Sequence, residues 1–399
     1  KWGFNMLNTF IRGGFPGKIY PVNHTEDEIL GLKVYKSVSD IPQGPDLVVI
    51  VVPPPSVNAV IRECVSKGVG AGIVITAGFA ELGGEGARLQ NEMVDIARRG
   101  SMALVGPNCN GIMNPWEKLH IQFVEFFAPP GPIAVVAQSG NVLDSVVRQV
   151  MLRGMGCSLC IASGNEADLH IEDYLEYLAD DPQTKVILSY IEGFKDGQRF
   201  IEVASEVSKK KPIVMVKAGK TEAGAKAAMS HTASVAGSDA IFDAVCKQSG
   251  VIRAKNLDEL VHIGIALLQQ PLPQGRKVGI VTGGGGWGVL AADACTELSL
   301  EVVTLPEDTI RELDTVMPAW WNRGNPVDLV AGRSREAVFK GIEILLRCPV
   351  VDAVMMLSIM PAMGFERFRA SAGKVDKEIV VQAVVEAMNE FNQLAQKYG

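Results

Sequence analysis

The sequence predicts an α/β protein made of successive doubly wound domains. Short apolar runs rich in β-branched residues alternate with helical patterns along nearly the whole chain, and turns rich in Gly and Pro separate them. Runs such as Asp46–Val52 are apolar on both faces, as expected of strands buried in a parallel sheet. The 399 residues leave room for two or three domains of roughly 150 residues each.

The first block reads as a Rossmann-like domain without its usual beginning. The predicted elements are a helix over Lys1–Arg12, a strand over Lys18–Tyr20, a strand over Asp46–Val52, a helix that Ser56 caps and that runs to about Lys67, a strand over Gly72–Thr76, a helix over Gly84–Arg99 and a strand over Met102–Val105. Because the chain opens on a helix rather than on a strand and a glycine loop, we expect the first strand–loop–helix unit to have been truncated.

Two further blocks repeat the alternation without a fixed-period repeat. In the second block we predict strands at Ile133–Ala137, Cys157–Ala162, Val186–Tyr190, Pro212–Val216 and Val251–Arg253, and helices at Asn141–Met155, Ile171–Ala179, Gly197–Lys209, Ser238–Ser249 and Leu257–Gln269. In the third we predict strands at Val278–Thr282 and Asp352–Leu357, and helices at Trp287–Leu298, Arg335–Leu345 and Val375–Lys397. Proline-rich stretches at Phe126–Pro132 and Pro271–Pro273 mark the boundaries.

Composition excludes several classes of protein. A net charge of −7 without a basic cluster argues against a nucleic-acid partner, which requires a positive surface. No apolar run reaches the roughly 18 residues that span a bilayer, so no membrane segment is predicted. Seven cysteines, an odd number spread along the chain, do not read as a disulfide framework and favour a reducing, cytoplasmic location. His24, His120, His170 and His262 are too scattered to predict a metal site.

The segment Lys217–Asp239 is the most unusual stretch of the chain. Fifteen of its 23 residues are Ala, Gly, Ser or Thr, so little side-chain burial can hold it, and a long loop of this kind inside a domain is usually functional. Its only group that titrates near neutral pH is His231, which can act as acid, base or nucleophile. A solvated loop histidine beside hydroxyl groups is the alternative.

Two other candidates fall at strand ends that should share one sheet edge. Ser139 lies where a strand meets the next helix, so its hydroxyl and the free helix amides could bind an anion; an ordinary helix cap is the alternative. Glu192 follows the strand Val186–Tyr190, and open α/β sheets bind ligands at the carboxyl edge. A carboxylate there could fix the tautomer of His231, although a surface carboxylate is the simpler reading.

Two motifs admit weaker functional readings. Cys157 and Cys160 have the spacing of a redox pair, but they lie in one strand and are better explained as buried thiols. The glycine run Thr282–Gly288 follows a strand and precedes a helix, which would suit a phosphate or a partner backbone. It matches neither the complete Walker A pattern nor a dinucleotide fingerprint.

Taken together, a series of short motifs resembles the NDP-forming acyl-CoA synthetase family, which includes the ADP-forming acetate–CoA ligases and the succinyl-CoA synthetase α subunit. The matching stretches are Lys18–Asn23, Ile29–Lys33, Val51–Pro53, Ile75–Phe79, Gly106–Cys109, Gly111–Met113, Gln138–Gly140, Ser163–Asn165, Tyr190–Gly193, Lys217–Gly219, Ser230–Thr232 and Gly324–Asp328. Each motif is weak alone, but their order and spacing are specific.

The resemblance implies a domain for each block and a role for each matched residue. It implies a Rossmann-like CoA-binding domain over residues 1–127, a flavodoxin-like ligase domain over 130–272 and a second such domain over 275–399. His231 would be the phosphohistidine and Glu192 the carboxylate that orients it. The phosphate-binding positions would be Ser139, Gly140, Asn141, Ser163, Gly164 and Asn165. The CoA-binding positions would be Asn23, Val52, Pro53, Pro54, Ala77, Gly78, Asn108 and Cys109.

The implied reaction interconverts acyl-CoA, ADP and phosphate with a small carboxylic acid, CoA and ATP, through an acyl phosphate and the phosphohistidine. No segment resembles an ATP-grasp domain, so ATP, ADP and Mg²⁺ would bind to a separate β subunit or a C-terminal extension, in an oligomer. Two alternatives remain open: a non-catalytic acyl-CoA-binding or regulatory module, and a nicotinamide-dependent oxidoreductase, which the missing dinucleotide fingerprint disfavours.

Overall fold

A computed structural model describes residues 2–221, 223–224, 239–329, 335–357 and 377–398. The chain forms two compact units, Lys1–Gln270 and Pro271–Gly399, and each is described by itself. The helices in the described ranges are α1 (Trp2–Arg12), α2 (Pro54–Ser66), α3 (Gly84–Arg99), α4 (Gly140–Leu152), α5 (Ile171–Asp180), α6 (Gly197–Lys210), α7 (Asp239–Ser249), α8 (Leu257–Gln269), α9 (Gly285–Glu297), α10 (Glu307–Asp314), α11 (Arg335–Leu346) and α12 (Lys377–Tyr398).

The strands are short and mostly apolar. They are β1 (Glu28–Ile29), β2 (Leu32–Lys33), β3 (Leu47–Ile50), β4 (Ala71–Val74), β5 (Ala103–Val105), β6 (Gly111–Asn114), β7 (Leu119–Ile121), β8 (Pro130–Ala137), β9 (Cys157–Ala162), β10 (Val186–Ile191), β11 (Ile213–Lys217), β12 (Ile252–Arg253), β13 (Lys277–Thr282), β14 (Glu301–Val302), β15 (Val327–Asp328) and β16 (Ala353–Leu357). The alternation of strands and helices confirms the predicted α/β class.

The first sheet contains three parallel strands in the order β3-β4-β5, with α2 and α3 packed against each other. The predicted strand at Lys18–Tyr20 is wrong, because that segment has no regular structure; the chain instead makes a bridge between Val22 and Tyr35 around the β1–β2 hairpin. The predicted cap at Ser56 is also wrong. The helix begins two residues earlier, with Pro54 at its first position, where a missing N–H costs nothing.

The second sheet has the strand order β12-β11-β10-β8-β9-β6-β7. Its five strands from β12 to β9 run parallel, and counted along the chain they follow the order 2-1-3-4-5 of flavodoxin-like folds. The hairpin of β6 and β7 extends this sheet antiparallel to β9, with Met113 opposite Cys160. The sequence analysis did not foresee this hairpin, whose residues precede the proline-rich boundary but pair with the sheet that follows it.

The core of the first unit lies on both faces of the second sheet. Strands β8, β10 and β11 are almost wholly buried, as the continuous apolar runs predict. Helix α4 packs with α8, whereas α5 packs with α6 and α6 with α7. Cys157 and Cys160 are both fully buried free thiols, which confirms the structural reading of their spacing.

The second unit is built around β13. Strands β14, β15 and β16 each pair in parallel with β13. Helix α9 follows β13 directly and begins inside the glycine run. The sequence analysis missed α10, β14 and β15, because two-residue strands and a two-turn helix carry too little periodicity to be recognised.

Two negative findings hold within the described ranges. None of the helices there is long and apolar enough to cross a membrane. In the same part of the chain, no group of three or more His, Cys, Asp or Glu side chains is arranged to hold a metal ion.

Candidate functional site

The candidate site lies at the carboxyl edge of the second sheet, between β8 and β10. Strand order reverses there, since the chain leaves β8 toward β9 on one side and returns to β10 on the other. The loops after two such strands diverge and leave a crevice, which is where open α/β sheets bind ligands. Ser139 follows β8 and Glu192 follows β10. The fold therefore brings these two predicted residues to one crevice.

The N-terminus of α4 at this crevice is open. Ser139 is the N-cap residue, yet its hydroxyl makes no capping hydrogen bond and the first turn carries no acidic residue. Asn141 is exposed and Gly140 is half-buried. Free backbone amides and the positive end of the helix dipole suit an anion at such a terminus. The phosphate-binding role of these three residues stays a prediction, and the uncapped N-terminus of α4 is compatible with it.

The turn after β9 contains the other three predicted phosphate-binding residues. Gly164 has a φ of +61°, and a Cβ there would stand 2.3 Å from the carbonyl oxygen of Pro107, so only glycine fits. Ser163 is fully buried, and its Oγ donates to Glu166 Oε1 at 2.7 Å. Asn165 is also buried. The side chains of Ser163 and Asn165 are thus engaged within the protein, and their backbone N–H groups donate to the carbonyl oxygens of Ala137 and Pro107 at 2.9 Å. The predicted phosphate-binding role of this turn stays a prediction.

Gln138 connects the loops on either side of the crevice. Its Oε1 accepts from the backbone N–H groups of Glu192 at 2.6 Å and Gly193 at 3.2 Å. Its Nε2 donates to the carbonyl oxygen of Gly193 at 2.8 Å and to Glu166 Oε2 at 3.0 Å. The side-chain amide is buried and all of its hydrogen-bonding capacity is used. One side chain therefore fixes the relative positions of three loops.

Glu192 is only 4% exposed at the end of β10. The next strand ends beside it, because Ala218 N donates to the carbonyl oxygen of Ile191 at 2.8 Å. Lys217, the last residue of β11, is buried and its ammonium group caps the carbonyl oxygens of Ala218 and Gly219. Burial lowers the pKa of Lys217. The segment Lys217–Asp239 therefore leaves the sheet next to Glu192.

His231 itself lies outside the described residues, so its predicted role is carried forward as a prediction. The described flanks of its segment are well held. At the far flank, Asp239 begins α7 and pairs with Arg253 of β12 at 2.6 Å. At the near flank, Lys220 donates to the carbonyl oxygen of Lys255. Both ends of the segment are thus fixed on neighbouring strands of the same sheet edge.

The predicted CoA-binding residues cluster at the carboxyl edge of the first sheet. Val52, Pro53 and Pro54 follow β3, Ala77 and Gly78 follow β4, and Asn108 and Cys109 follow β5. Ala77 and Pro53 are exposed, which leaves these loops accessible. Gly78 has a φ of +106°, and a Cβ there would press on Pro54 at 2.8 Å. Glycine is therefore needed at this turn of the edge, and the CoA-binding role of these loops stays a prediction.

Two predicted CoA-binding residues have other partners in the structure. Asn23 Oδ1 accepts from the backbone N–H groups of Thr25 and Glu26, which makes it the start of a turn. Cys109 is buried, and its Sγ contacts the carbonyl oxygen of Val74 at 3.4 Å. Burial raises the pKa of this thiol to about 12. Both side chains therefore make contacts that stabilise their own loops.

Hydrogen bonds join the two edges into one surface. Glu81 Oε1 accepts from Gly78 N at 2.6 Å, and its Oε2 accepts from Asn165 Nδ2 at 2.5 Å. Asn165 Nδ2 also donates to Gln90 at 3.0 Å, and its Oδ1 accepts from Asn108 Nδ2 at 3.3 Å. Burial acts to raise the pKa of Glu81, but these hydrogen bonds outweigh it and lower the pKa. Asn165 therefore links the predicted CoA loops to the predicted phosphate loop.

Replacing Asn165 by aspartate is expected to destabilise this link. The new carboxylate would face Glu81 Oε2 and Gln90 Oε1, so a donor becomes a third acceptor. We expect a loss of about 2–4 kcal/mol of unfolding free energy at pH 8. Because like charges raise the pKa of one carboxyl, the loss should shrink as the pH falls toward 5. Chemical denaturation at both pH values measures it, with the exposed Asn141→Asp as control; equal stability of the two variants at pH 8 would contradict the link.

Glu172 is a second buried carboxyl in this region, and unlike Glu81 it has no hydrogen bonds to stabilise its charge within the described residues. Glu172 is fully buried in the first turn of α5, and neither of its oxygens makes a hydrogen bond within the described residues. Nδ1 of His170 is 4.0 Å from its Oε2, but burial lowers the pKa of that imidazole and favours its neutral form. Burial raises the pKa of Glu172 to about 7. The folded protein therefore keeps Glu172 largely protonated below about pH 7.

This raised pKa predicts a pH-dependent gain of stability in Glu172→Gln. The unfolded acid ionises near 4.5 and the folded one near 7, so ionisation costs stability progressively as the pH rises through this window. Glutamine cannot ionise. We expect similar stability at pH 5 and a gain of about 1–3 kcal/mol for the variant at pH 8. Denaturation curves at both pH values test this, with the exposed Glu202→Gln as control; the same difference at pH 5 and pH 8 would contradict it.

Three residues of this hydrogen-bond network were not predicted as site residues: Gln138, which was recognised only within a motif, Glu166 and Glu81. Gln138 and Glu166 each stand beside a residue that the analysis did select, Ser139 and Asn165. A polar residue directly after a wholly apolar strand was an available signal, since a buried amide or carboxyl must find partners. Their partners come from loops distant in sequence, and so they could not be assigned without the fold.

Comparison with known proteins agrees with this architecture. Three domain families match in succession: the CoA binding domain at residues 1–115, the succinyl-CoA ligase like flavodoxin domain at 130–267 and the Ligase-CoA domain at 278–391. The chain is 43% identical over 373 residues to the acetate–CoA ligase [ADP-forming] II subunit alpha of Pyrococcus furiosus, covering 94% of this chain and 80% of that subunit. It is 44% identical to the acetate–CoA ligase [ADP-forming] of Methanocaldococcus jannaschii, covering 81% of this chain and 45% of that protein.

A solved structure resembles the fold over nearly its whole length. The dinucleotide forming acetyl-coenzyme A synthetase 1 of Candidatus Korarchaeum cryptofilum, in complex with phosphate and ADP, superposes with a TM-score of 0.84 at 34% identity. The match covers 97% of this chain and 82% of that one. The domain succession and these likenesses define an acid–thiol ligase. The chain belongs to the NDP-forming acyl-CoA synthetase family, on the side of its ADP-forming acetate–CoA ligase α subunits.

Proposed function

We propose that the chain is the part of an ADP-forming acid–CoA ligase that binds CoA and carries the phosphohistidine. Phosphate attacks the thioester carbonyl of an acyl-CoA, the C–S bond breaks, and CoA leaves as its thiol while an acyl phosphate forms. His231 then attacks phosphorus and releases the carboxylate. The phosphoryl group finally passes to ADP on an ATP-grasp domain, which would also hold Mg²⁺, and the reverse direction makes acyl-CoA from a small carboxylic acid.

The observation that carries the proposal is the crevice between β8 and β10. The open terminus of α4, the buried Glu192 and the start of the segment with His231 meet at this one edge. Phosphoryl transfer mainly needs positioning and charge stabilisation, which free helix amides provide. A histidine phosphoramidate keeps both half-reactions reversible, whereas a serine phosphate ester would be too stable.

Each residue of the crevice has a role in this scheme. Ser139, Gly140 and Asn141 would hold the phosphoryl group at the terminus of α4. Glu192 would accept a hydrogen bond from one imidazole nitrogen of His231 and leave the other free to attack. The loops at Val52–Pro54, Ala77 and Gly78, and Asn108 would hold CoA at the neighbouring edge. The link through Asn165 would keep the thioester close to the phosphate.

The test is formation of a phosphoenzyme by the chain together with an ATP-grasp partner subunit. Incubation with ATP labelled at the γ-phosphate should yield protein-bound label that is stable to base and labile to acid, as a phosphoramidate is. Addition of a carboxylic acid and CoA should discharge the label and produce acyl-CoA. A panel of acids would identify the acyl group. Absence of label with a competent partner would contradict the proposal.

A non-catalytic acyl-CoA-binding or regulatory role is the second candidate. The predicted CoA loops follow strands of the first sheet, so CoA could bind there without the crevice of the second sheet taking part. This role predicts thermal stabilisation by CoA without any phosphoenzyme. All seven cysteines are free and buried, which supports a location in the reducing cytoplasm for either role.

A further inference from the structure

A buried clamp of two side chains lies directly behind the crevice. Gln138 holds the backbone of Glu192 and Gly193 through Oε1 and Nε2, and Glu166 holds the same Nε2 at 3.0 Å. Glu166 is itself held by Ser163 Oγ at 2.7 Å. Neither residue reaches the surface, since Gln138 is 7% and Glu166 only 1% exposed. The clamp thus ties the β8, β9 and β10 loops together from inside.

Above about pH 7 Glu166 is mainly ionised, and its carboxylate then faces hydrogen-bond donors on both oxygens. The amide nitrogen of Gln138 can only donate, and the hydroxyl of Ser163 is within donating distance, so two donors face the two carboxylate oxygens. Burial raises the pKa of Glu166 to about 7, although these two hydrogen bonds act in the opposite direction. The charged groups around it are Glu172 and Lys195, and the hydroxyl of Tyr174 is also near. No Lys or Arg forms an ion pair with Glu166 among the residues placed by the structure.

A buried carboxylate without an ion-pair partner is costly. The backbone at this residue has a φ of +50°, a conformation that costs a non-glycine residue further energy. Such costs persist at sites where geometry matters more than stability. The element that the clamp orients is the peptide that carries Glu192.

We propose that Gln138 and Glu166 are positioning residues of the ligase, which set the backbone of Glu192 and thereby the direction in which its carboxylate meets the histidine. This inference rests on the proposed function. It assigns no contact with substrate to either residue. Their contribution is to the rate of the phosphoryl transfer step rather than to the binding of acyl-CoA.

The first test measures how firmly Gln138 and Glu166 hold the backbone of Glu192 and Gly193, and it needs no catalytic turnover. In Gln138→Leu, hydrogen exchange of the Glu192 and Gly193 amides should accelerate at least about 10-fold, because both lose their acceptor. Glu166→Gln, which keeps the size of the side chain, should accelerate it less and provides the test if the leucine variant does not fold. Glu172→Gln is the matched control, a buried carboxyl nearby that holds no loop, and should leave exchange unchanged. Unchanged exchange in both test variants would overturn the clamp.

The second test follows the transfer step in the complex with an ATP-grasp partner. From acyl-CoA and labelled phosphate, Glu166→Gln should form phosphoenzyme about 10- to 100-fold more slowly, the effect of losing a hydrogen bond to a charged group. The acyl-CoA concentration for half-maximal rate should stay unchanged. A merely structural role would lower the amount of active enzyme and leave the rate constant of the remainder intact. A wild-type rate constant in the variant overturns the positioning role alone, whereas a wild-type enzyme that forms no phosphoenzyme contradicts the proposed function.

Discussion

Replacing His231 by alanine is expected to abolish phosphoenzyme formation and overall acyl-CoA synthesis, the largest effect of any substitution discussed for this chain. Alanine has no nucleophilic nitrogen, and the described part of the segment and its flanks offers no second histidine that could replace it. A covalent step that loses its nucleophile loses the whole pathway rather than a fraction of its rate. Label incorporated from γ-labelled ATP in the presence of an ATP-grasp partner measures the first effect, and acyl-CoA production measures the second.

The control for this substitution is His262→Ala. His262 lies on α8 and contacts Arg153 through its Nε2 at 3.0 Å, away from the crevice. This variant should incorporate label as the wild type does. CoA binding should survive in both variants, because the loops that would hold CoA lie on the first sheet. Acid-labile label that persists in His231→Ala would assign the phosphoryl group to another residue and remove the basis of the proposed mechanism.

The sequence contained enough to predict the existence of the second sheet's long parallel strands, although not their order. Continuous apolar runs such as those of β9 and β10 are typical of buried parallel strands, and their predicted bounds differ from the structure by at most one residue. Short elements were not predicted, because recognition depends on the length of the apolar run. The two-residue strands β14 and β15 have one buried side chain between them, that of Val327, which is too few to form a pattern.

The misplaced start of α2 illustrates a competition between two local rules. Ser56 is a good capping residue, but the preceding prolines are already confined to a helix-compatible φ. Because Pro54 loses nothing at the first helical position, the helix extends toward β3 and brings the predicted CoA loop closer to the strand. The serine is then an ordinary residue of the first turn. Propensity alone could not decide between the two starts.

Residues of the candidate site that directly follow strands could be predicted from the sequence, whereas the hydrogen bonds between its loops could not. The convergence of Ser139 and Glu192 was predictable because both follow strands of one sheet, β8 and β10. The partners of Asn165 and Gln138 were not found, since they depend on which strands are neighbours and not on sequence spacing. The order of β8, β9 and β10 brings residues 138, 166 and 193 into hydrogen-bonding contact, although up to 55 positions separate them in sequence.

Replacing Glu192 by glutamine is expected to lower the rate of phosphoryl transfer by about 100-fold or more while the half-saturating acyl-CoA concentration stays nearly constant. Glutamine has the same shape, so the backbone hydrogen bonds of residue 192 to Gln138 should persist. A neutral amide, however, stabilises a positive imidazole poorly and can donate to the wrong ring nitrogen. Pre-steady-state labelling in the complex with an ATP-grasp partner separates this loss of rate from any loss of binding.

The choice of control decides what this loss means, because Glu192 is buried and any substitution there could disturb the sheet. Glu172→Gln removes another buried carboxyl of the same unit, and it should keep the wild-type rate of labelling. Hydrogen exchange at residues 192 and 193 should remain slow in Glu192→Gln, unlike in the clamp variants. If Glu192→Gln forms phosphoenzyme at the wild-type rate while exchange at residues 192 and 193 stays slow, the carboxylate does not act on the histidine. The role of the crevice would then depend on the α4 terminus alone.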